Sequence, residues 1–403
     1  MLLQSFIKQV VQSQQERLFQ KELGYERVCL SSLPDITSHA LIISGIRRCG
    51  KSTLLLQLMK SKFSNALYIN FEDPRLYGFD ANDFLKLNEI VQDINPSVLL
   101  FDEIQIVKGW ENYVRFTLDQ GYRTIVTGSN ATMLSLELGS KLTGRHITFE
   151  LFPFSYQEFL GFSKLAASSS SLSEFLRFGG FPEYQKIRID EILEQVFTDI
   201  IIRDITQRFG IRNINVIKEL AVWLISNVAK PVTGNSLKKL FSVGAVSSVM
   251  EYLSFFENSY LFYFVPKFSY SIKNQLINPR KIYAVDTGLV NVNSRSFTDD
   301  YGRLLENLVF LQLRRNFKEI YYFSNRGECD FIVFSKGKIF TVIQVCYSLN
   351  MDNMDREIAG LVEALLYFNL KNGLLITFET KDELVKDDKI ISIKPFYLWA
   401  LEE

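Results

Sequence analysis

Histidine and cysteine are scarce in this chain of 403 residues, with two of the first and four of the second. Cys29, Cys49, Cys329 and Cys346 are scattered and form no CxxC pair, and only His39 and His146 stand beside them. A structural zinc site is therefore not expected. Net charge is also missing, since 45 Lys and Arg balance 45 Asp and Glu. No bulk charge announces a nucleic-acid or membrane partner, so any such surface must be local. No run reaches the ~18 apolar residues of a membrane span. The nearest, VIKELAVWLISNVA (Val216–Ala229), is short, carries Lys218 and Glu219, and reads as a buried helix. The start, MLLQSFIKQVVQSQQERLFQKEL, has helical apolar spacing interrupted by Lys8. It lacks the basic segment, clean apolar core and small-residue cleavage site of a secretory signal. Few cysteines, with the nucleotide motif below, predict a reducing, cytoplasmic setting.

What is plentiful is aromatic, with 34 Phe and 18 Tyr. Large aromatic cores are expected to absorb them in preference to base stacking. The length predicts two or three domains, each with its own core.

The informative stretch is ISGIRRCGKSTLLLQLM (Ile43–Met59). An apolar run ends in Gly45; four residues later come Gly50, Lys51 and Ser52, then a helical pattern. This is GxxxxGK[ST] in a strand–loop–helix context. The backbone of Gly45, Ile46, Arg47, Arg48, Cys49, Gly50, Lys51, Ser52 and Thr53 should wrap phosphates, helped by the helix N-terminus. Lys51 should reach the β- and γ-phosphates, and Ser52 should ligate Mg²⁺.

About 50 residues on, SVLLFDEIQ (Ser97–Gln105) reads as a buried strand ending in two acids. Asp102 is placed to hold Mg²⁺ and Glu103 to orient or deprotonate the attacking water. NALYINFED (Asn65–Asp73) is a further strand, ending in Glu72 and Asp73. A strand so inserted, and a Glu after the Asp, indicate the additional-strand catalytic-Glu branch of P-loop ATPases. RTIVTGSNATML (Arg123–Leu134) brings Thr127, Gly128, Ser129 and Asn130 to a strand end, where parallel sheets bind ligands. Asn130, then Ser129, is the candidate contact for the γ-phosphate or water; capping the next helix is the alternative role. Arg145, before a fifth strand, is the candidate arginine finger, in its own or a neighbouring subunit.

Together GIRRCGKSTLL, YINFEDPRL, LLFDEIQ, VTGSN, LTGRHITFELFPFSYQEFL, FGGFPE, YAVDTGL and ECDFIV resemble prokaryotic AAA-like ATPases, relatives of the archaeal-type ATPases, with a C-terminal domain of unknown function. The resemblance spans nearly the whole chain. It implies ATP as the nucleotide, hydrolysis, and a DNA- or defence-related role. It also puts FGGFPE and the FTDIIIRDI helix near the nucleotide, with Arg203 as a sensor or a salt-bridged helix residue.

LAASSSSLSEF (Leu165–Phe175) reads as a linker. The domains expected are therefore a P-loop AAA-like ATPase at 1–165, a helical linker and winged helix at 166–275, and a restriction-endonuclease-like domain at 276–403. In Thr233–Ser269 a short helix, a turn at Gly244, a second helix and a β-hairpin give the winged-helix order, with Ser247 and Ser248 on the outer face. Lys267, Lys273, Arg280 and Lys281 form a basic wing that could touch DNA phosphates. A protein-docking or purely structural role is equally open.

The last domain resembles the restriction-endonuclease-like fold. Glu306 and Asp330 match two of its acids, but Gln344 and Cys346 stand where an acid and a lysine are needed, so nuclease activity is not expected. Cys346, in an apolar strand, reads as buried and inert. The function expected is a Mg²⁺-dependent ATPase whose nucleotide state is coupled to a DNA- or protein-binding C-terminal half. The alternatives are a slow nucleotide-dependent switch with a protein partner or, less favoured, an ATP-linked nuclease. An oligomer is compatible, and no membrane is involved.

Overall fold

The computed structural model describes residues 2–35, 37–130, 142, 144–296 and 300–402. The chain divides into two compact units after Leu151.

In the first unit, β1 (Ala40–Ser44), β2 (Ala66–Asn70), β3 (Val98–Asp102), β4 (Arg123–Gly128) and β5 (His146–Glu150) form a wholly parallel sheet. The order is β2-β3-β4-β1-β5. In space, then, β4 separates the strand entering the glycine loop from the strand ending in Asp102, while β2 takes the edge. β1 and β3 are buried at every position, which is why ALIIS and VLLFD are unbroken apolar runs instead of alternating ones.

Four α-helices, α1 (Gln4–Gln20), α2 (Lys51–Ser61), α3 (Asp83–Ile94) and α4 (Trp110–Asp119), and three short 3₁₀ helices are described in this unit. α1 turns Ile7, Val10, Val11 and Leu18 inward and packs on β2 and α3. The aromatic load goes where expected: Phe84 stacks on Tyr113 at 4.3 Å between centroids, and Phe71 meets Phe79 edge-on at 5.4 Å, inside the core.

The second unit opens with helices, among them Tyr156–Ser163, Ser169–Phe178 and Glu191–Asp199, and a π-helical stretch, Ile200–Gln207. The serine run read as a linker is thus largely helical. Ser168 accepts from the Ser171 amide and Ser171 reciprocates; serine favours caps as well as loops. Val216–Ala229 contributes the expected buried helix, Ile214–Ile225.

Next come β6 (Pro231–Val232), helices Gly234–Leu240 and Val246–Asn258, β7 (Phe262–Pro266), a short helix at Ile272–Ile277 and β8 (Arg280–Ala284). The three strands form a small antiparallel sheet in the order β6-β8-β7. After the helix Tyr301–Asn316, six strands form the last sheet. They are β9 (Glu319–Ser324), β10 (Glu328–Ser335), β11 (Lys338–Cys346), β12 (Asn372–Thr377), β13 (Asp382–Lys386) and β14 (Lys389–Pro395). The order is β13-β14-β12-β11-β10-β9, with β9–β11 antiparallel and β11, β12 and β14 parallel. The helix Met354–Tyr367 crosses between β11 and β12.

Candidate active site

The loop from Gly45 to Gly50 joins β1 to α2. Gly45 has φ 155°, and a Cβ there would stand 2.1 Å from the Leu151 carbonyl oxygen, so only glycine fits. Gly50 (φ 105°) and Arg48 (φ 63°) also take backbone conformations that turn successive amides inward. Ile46 and Cys49 are fully buried, so they can offer a ligand only backbone. Arg47 pairs with Glu72 at 3.3 Å, and Thr53 lies against Gly24. The Lys51 side chain, 4% exposed, donates to the Gly45 and Ile46 carbonyls at 3.1 and 3.2 Å and lies 3.6 Å from Glu103 Oε1. Its ammonium is folded onto the loop where phosphate oxygens would compete for it.

Asp102 ends β3 fully buried. Tyr68 donates to its Oδ2 at 2.7 Å, Thr127 donates to Oδ1, and the Ser52 hydroxyl also bonds the carboxylate. Burial, then the neighbouring Glu103 charge, push the Asp102 pKa up against those hydrogen bonds. A carboxylate held in that state gains from a cation. Ser52 hydroxyl and Asp102 carboxylate side by side fit Mg²⁺, which takes one or two protein oxygens and fills its shell with water and phosphate. Tyr68, whose phenol pKa burial and Asp102 push up, stays a donor at any ordinary pH.

Glu103 sits in the left-handed region at φ 50°, a strained backbone of the kind that clusters at functional sites. Its amide donates to Thr127 Oγ1 at 3.1 Å, and its Oε2 accepts from the Gln105 amide. Ser129 and Asn130, which follow β4, are buried. The structure thus brings together Lys51, Ser52, Asp102, Glu103 and the end of β4. Residues 131–134 of the strand–helix reading lie outside the described residues.

Arg145 is not brought to this site. It immediately precedes β5, level with the start of β1, at the end of the sheet opposite the glycine loop. There it pairs with Asp119 and donates to the Ser38 carbonyl. Within one chain it cannot act as a finger on this nucleotide. Arg203 is 56% exposed and pairs with Asp199 at 3.6 Å, the salt-bridged role allowed for it.

Residues 37–160 match the model of an AAA domain, and residues 169–300 match a domain of unknown function, DUF8612. An uncharacterized protein of Methanocaldococcus jannaschii is 36% identical over 392 residues, covering 89% of this chain and 88% of its own length. The chain belongs to that family of AAA-domain proteins. An uncharacterized Haemophilus influenzae protein is 32% identical, covering 78% of this chain and 84% of its own. Among solved structures, the Aeropyrum pernix ORC1 protein in complex with DNA is 10% identical, spans 66% of this chain and 88% of its own, and has a TM-score of 0.29. Cdc6p from Pyrobaculum aerophilum is 12% identical over 69% of this chain and 90% of its own, with a TM-score of 0.26. Scores that low carry no argument. The AAA-domain match supports a nucleotide-binding, ATPase-like function, and Lys51 and Asp102 lie within the matched residues.

A second polar cluster lies inside the second unit. Lys281, on β8, is 1% exposed and meets Glu306 at 3.0 Å, Glu328 at 2.7 Å and Asp330 at 2.7 Å. This corrects its reading as part of a basic DNA-facing wing; three carboxylates hold it in the interior. Lys273 is exposed, while Lys267 and Arg280 are half-buried. It is β8, and not β11, that brings an ammonium to Glu306 and Asp330. Gln344 accepts from the Asp330 amide and donates to Glu357. Cys346 is buried, and burial pushes its thiol up to about 11, as an inert cysteine requires.

Proposed function

We propose that this protein binds ATP and hydrolyses it with Mg²⁺, and that its nucleotide state governs a DNA- or protein-binding C-terminal half. The observation that carries the reading is the convergence of Lys51, Ser52, Asp102 and Glu103 where β1 and β3 end. Ser52 and Asp102 would hold the metal, which when bound neutralises charge on the phosphates. Lys51 leaves the loop carbonyls for the β- and γ-phosphates. Glu103 orients water and accepts its proton, and Asn130 at the end of β4 contacts the γ-phosphate or that water. Arg145 remains available only to a neighbouring copy.

The rest of the chain supports the second half of the proposal. Helices 214–225, 234–240 and 246–258 with the β6-β8-β7 sheet follow a winged-helix order. Ser247 is exposed on the third of them, and Lys273 on the wing. The acids and strand order of the last sheet favour a restriction-endonuclease-like domain. We expect no cleavage from it, because the Lys281 ammonium sits among the carboxylates a metal would need. The ion pair of Glu103 with Lys51 favours slow intrinsic turnover, hence a switch that a partner accelerates.

The test is the steady-state ATPase rate with and without duplex and single-stranded DNA at low salt, beside Glu103→Gln. A rate that DNA raises severalfold and the variant abolishes supports a DNA-coupled ATPase. Glu103-dependent hydrolysis indifferent to DNA moves the partner to protein. Absence of hydrolysis with and without DNA, with ATP bound, sinks the enzymatic half of the reading.

A further inference from the structure

Gln105 lies two residues beyond Glu103 on the short 3₁₀ turn Ile104–Ile106. Its Nε2 donates to Glu103 Oε2. Its other end, Oε1, is buried and has no hydrogen-bond partner among the described residues. A buried acceptor left unpaired is rare and costly. Turning the amide over would aim that oxygen at a carboxylate, so the Glu103 charge dictates the orientation. The stranded oxygen rests on Gly128: a Cβ there would stand 2.7 Å from it, and the three atoms nearest to such a Cβ all belong to the Gln105 amide. The backbone amide of Glu103 is tied to Thr127, the residue before Gly128. Both the main chain and the carboxylate of Glu103 are therefore referenced to the end of β4, which leads directly into Ser129 and Asn130.

We propose that Gln105 is the positioning residue for Glu103, an amide clamped between that carboxylate and Gly128, so that the end of β4 sets where the carboxylate points. This rests on the reading of Glu103 as the group that handles the attacking water. The glycine at 128 follows from it, because the space a side chain would need is filled by the amide. β4 is the one strand between β1 and β3, so a shift at Asn130 on contact with a γ-phosphate would be passed to Glu103 through Gly128 and Gln105.

The test measures turnover, KM and the affinity for a fluorescent ATP analogue in Gln105→Leu, Gly128→Ala, the double variant and Glu103→Gln, with melting temperature as the check on folding. Gln105→Leu keeps the volume and removes the donor. Gly128 has no positive φ, so the backbone accepts alanine, and its Cβ would press first on the Gln105 amide. The expected result is a kcat roughly 10- to 100-fold lower in each single variant, the scale of a misplaced reacting group. KM and analogue affinity should stay within about twofold, and the double variant should be no worse than either single one. Hydrolysis that Glu103→Gln abolishes but Gln105→Leu leaves intact overturns this inference alone, as does a fully additive double variant. Hydrolysis indifferent to Glu103→Gln, or none in the wild type, overturns the functional reading and this inference with it.

Discussion

The Lys281 ammonium donates to Asp330 Oδ1 at 2.7 Å with 2% of its side chain exposed. Glu306 and Glu328 share the same nitrogen, and Tyr283 donates to Glu306 at 2.7 Å. Burial alone would lower the Lys281 pKa, but the surrounding carboxylates outweigh it and raise it well above the ordinary value. Removing the ammonium leaves buried carboxylates facing each other. Lys281→Met should therefore cost on the order of 3–5 kcal/mol, read by urea denaturation. A loss below 1 kcal/mol would mean that the cluster is solvated.

Glu306 carries the pH signature of this arrangement. Burial, then the nearby Asp330, push its pKa from 4.5 to about 7, against Lys281 and Tyr283. The folded protein thus keeps a proton that the unfolded chain releases, and stability should fall as pH rises from about 4.5 to about 7. Asp286, pushed up to about 6 chiefly by burial, adds a slope of the same sign. The informative quantity is the difference: Glu306→Gln should flatten the wild-type slope over that window in denaturation curves. An unchanged slope would place the proton elsewhere.

Tyr68 was invisible as a site residue, yet it fixes one oxygen of Asp102. Tyr68→Phe keeps the ring and removes the hydroxyl. Loss of such a support should weaken Mg²⁺-dependent nucleotide binding or turnover by roughly 10- to 100-fold. Titration of Mg²⁺ at fixed ATP measures it, and wild-type behaviour would show that Thr127 and Ser52 suffice.

Arg145, bound to Asp119 at the far end of β5, predicts a concentration effect. In dilute protein, Arg145→Ala should leave the rate per molecule within about twofold, the small effect of a surface substitution. If copies assemble so that Arg145 reaches a neighbour's phosphates, the wild-type rate should climb with concentration and the variant's should not. A loss of rate at high dilution would contradict the geometry.

The candidate nucleotide site was legible because its signals are local. A glycine loop between strand and helix, and a strand ending in Asp-Glu, need only neighbouring residues to be read. Sites that depend on register were not. Tyr68 acts on Asp102 because β2 pairs with β3 at Asn70↔Asp102, and sequence spacing does not state a pairing. Lys281 looked like a surface cation because polar residues and Arg280 precede it; β8 is buried from Lys281 to Ala284, which carries the ammonium inward, onto acids 25 and 49 residues away. The serine run misled in the opposite direction, since composition suggested a loop while two reciprocal caps made a helix.

The wall behind Gly45 has a practical consequence. The carbonyl that forbids a side chain there belongs to Leu151, the residue after which the chain divides, and the Leu151 amide is tied to Ser44 at 2.6 Å. A fragment cut short of Leu151 would lose the backstop of its own phosphate loop. The exit point of the first unit is therefore a mechanical part of the loop, and neither can be spliced, lengthened or grafted without the other.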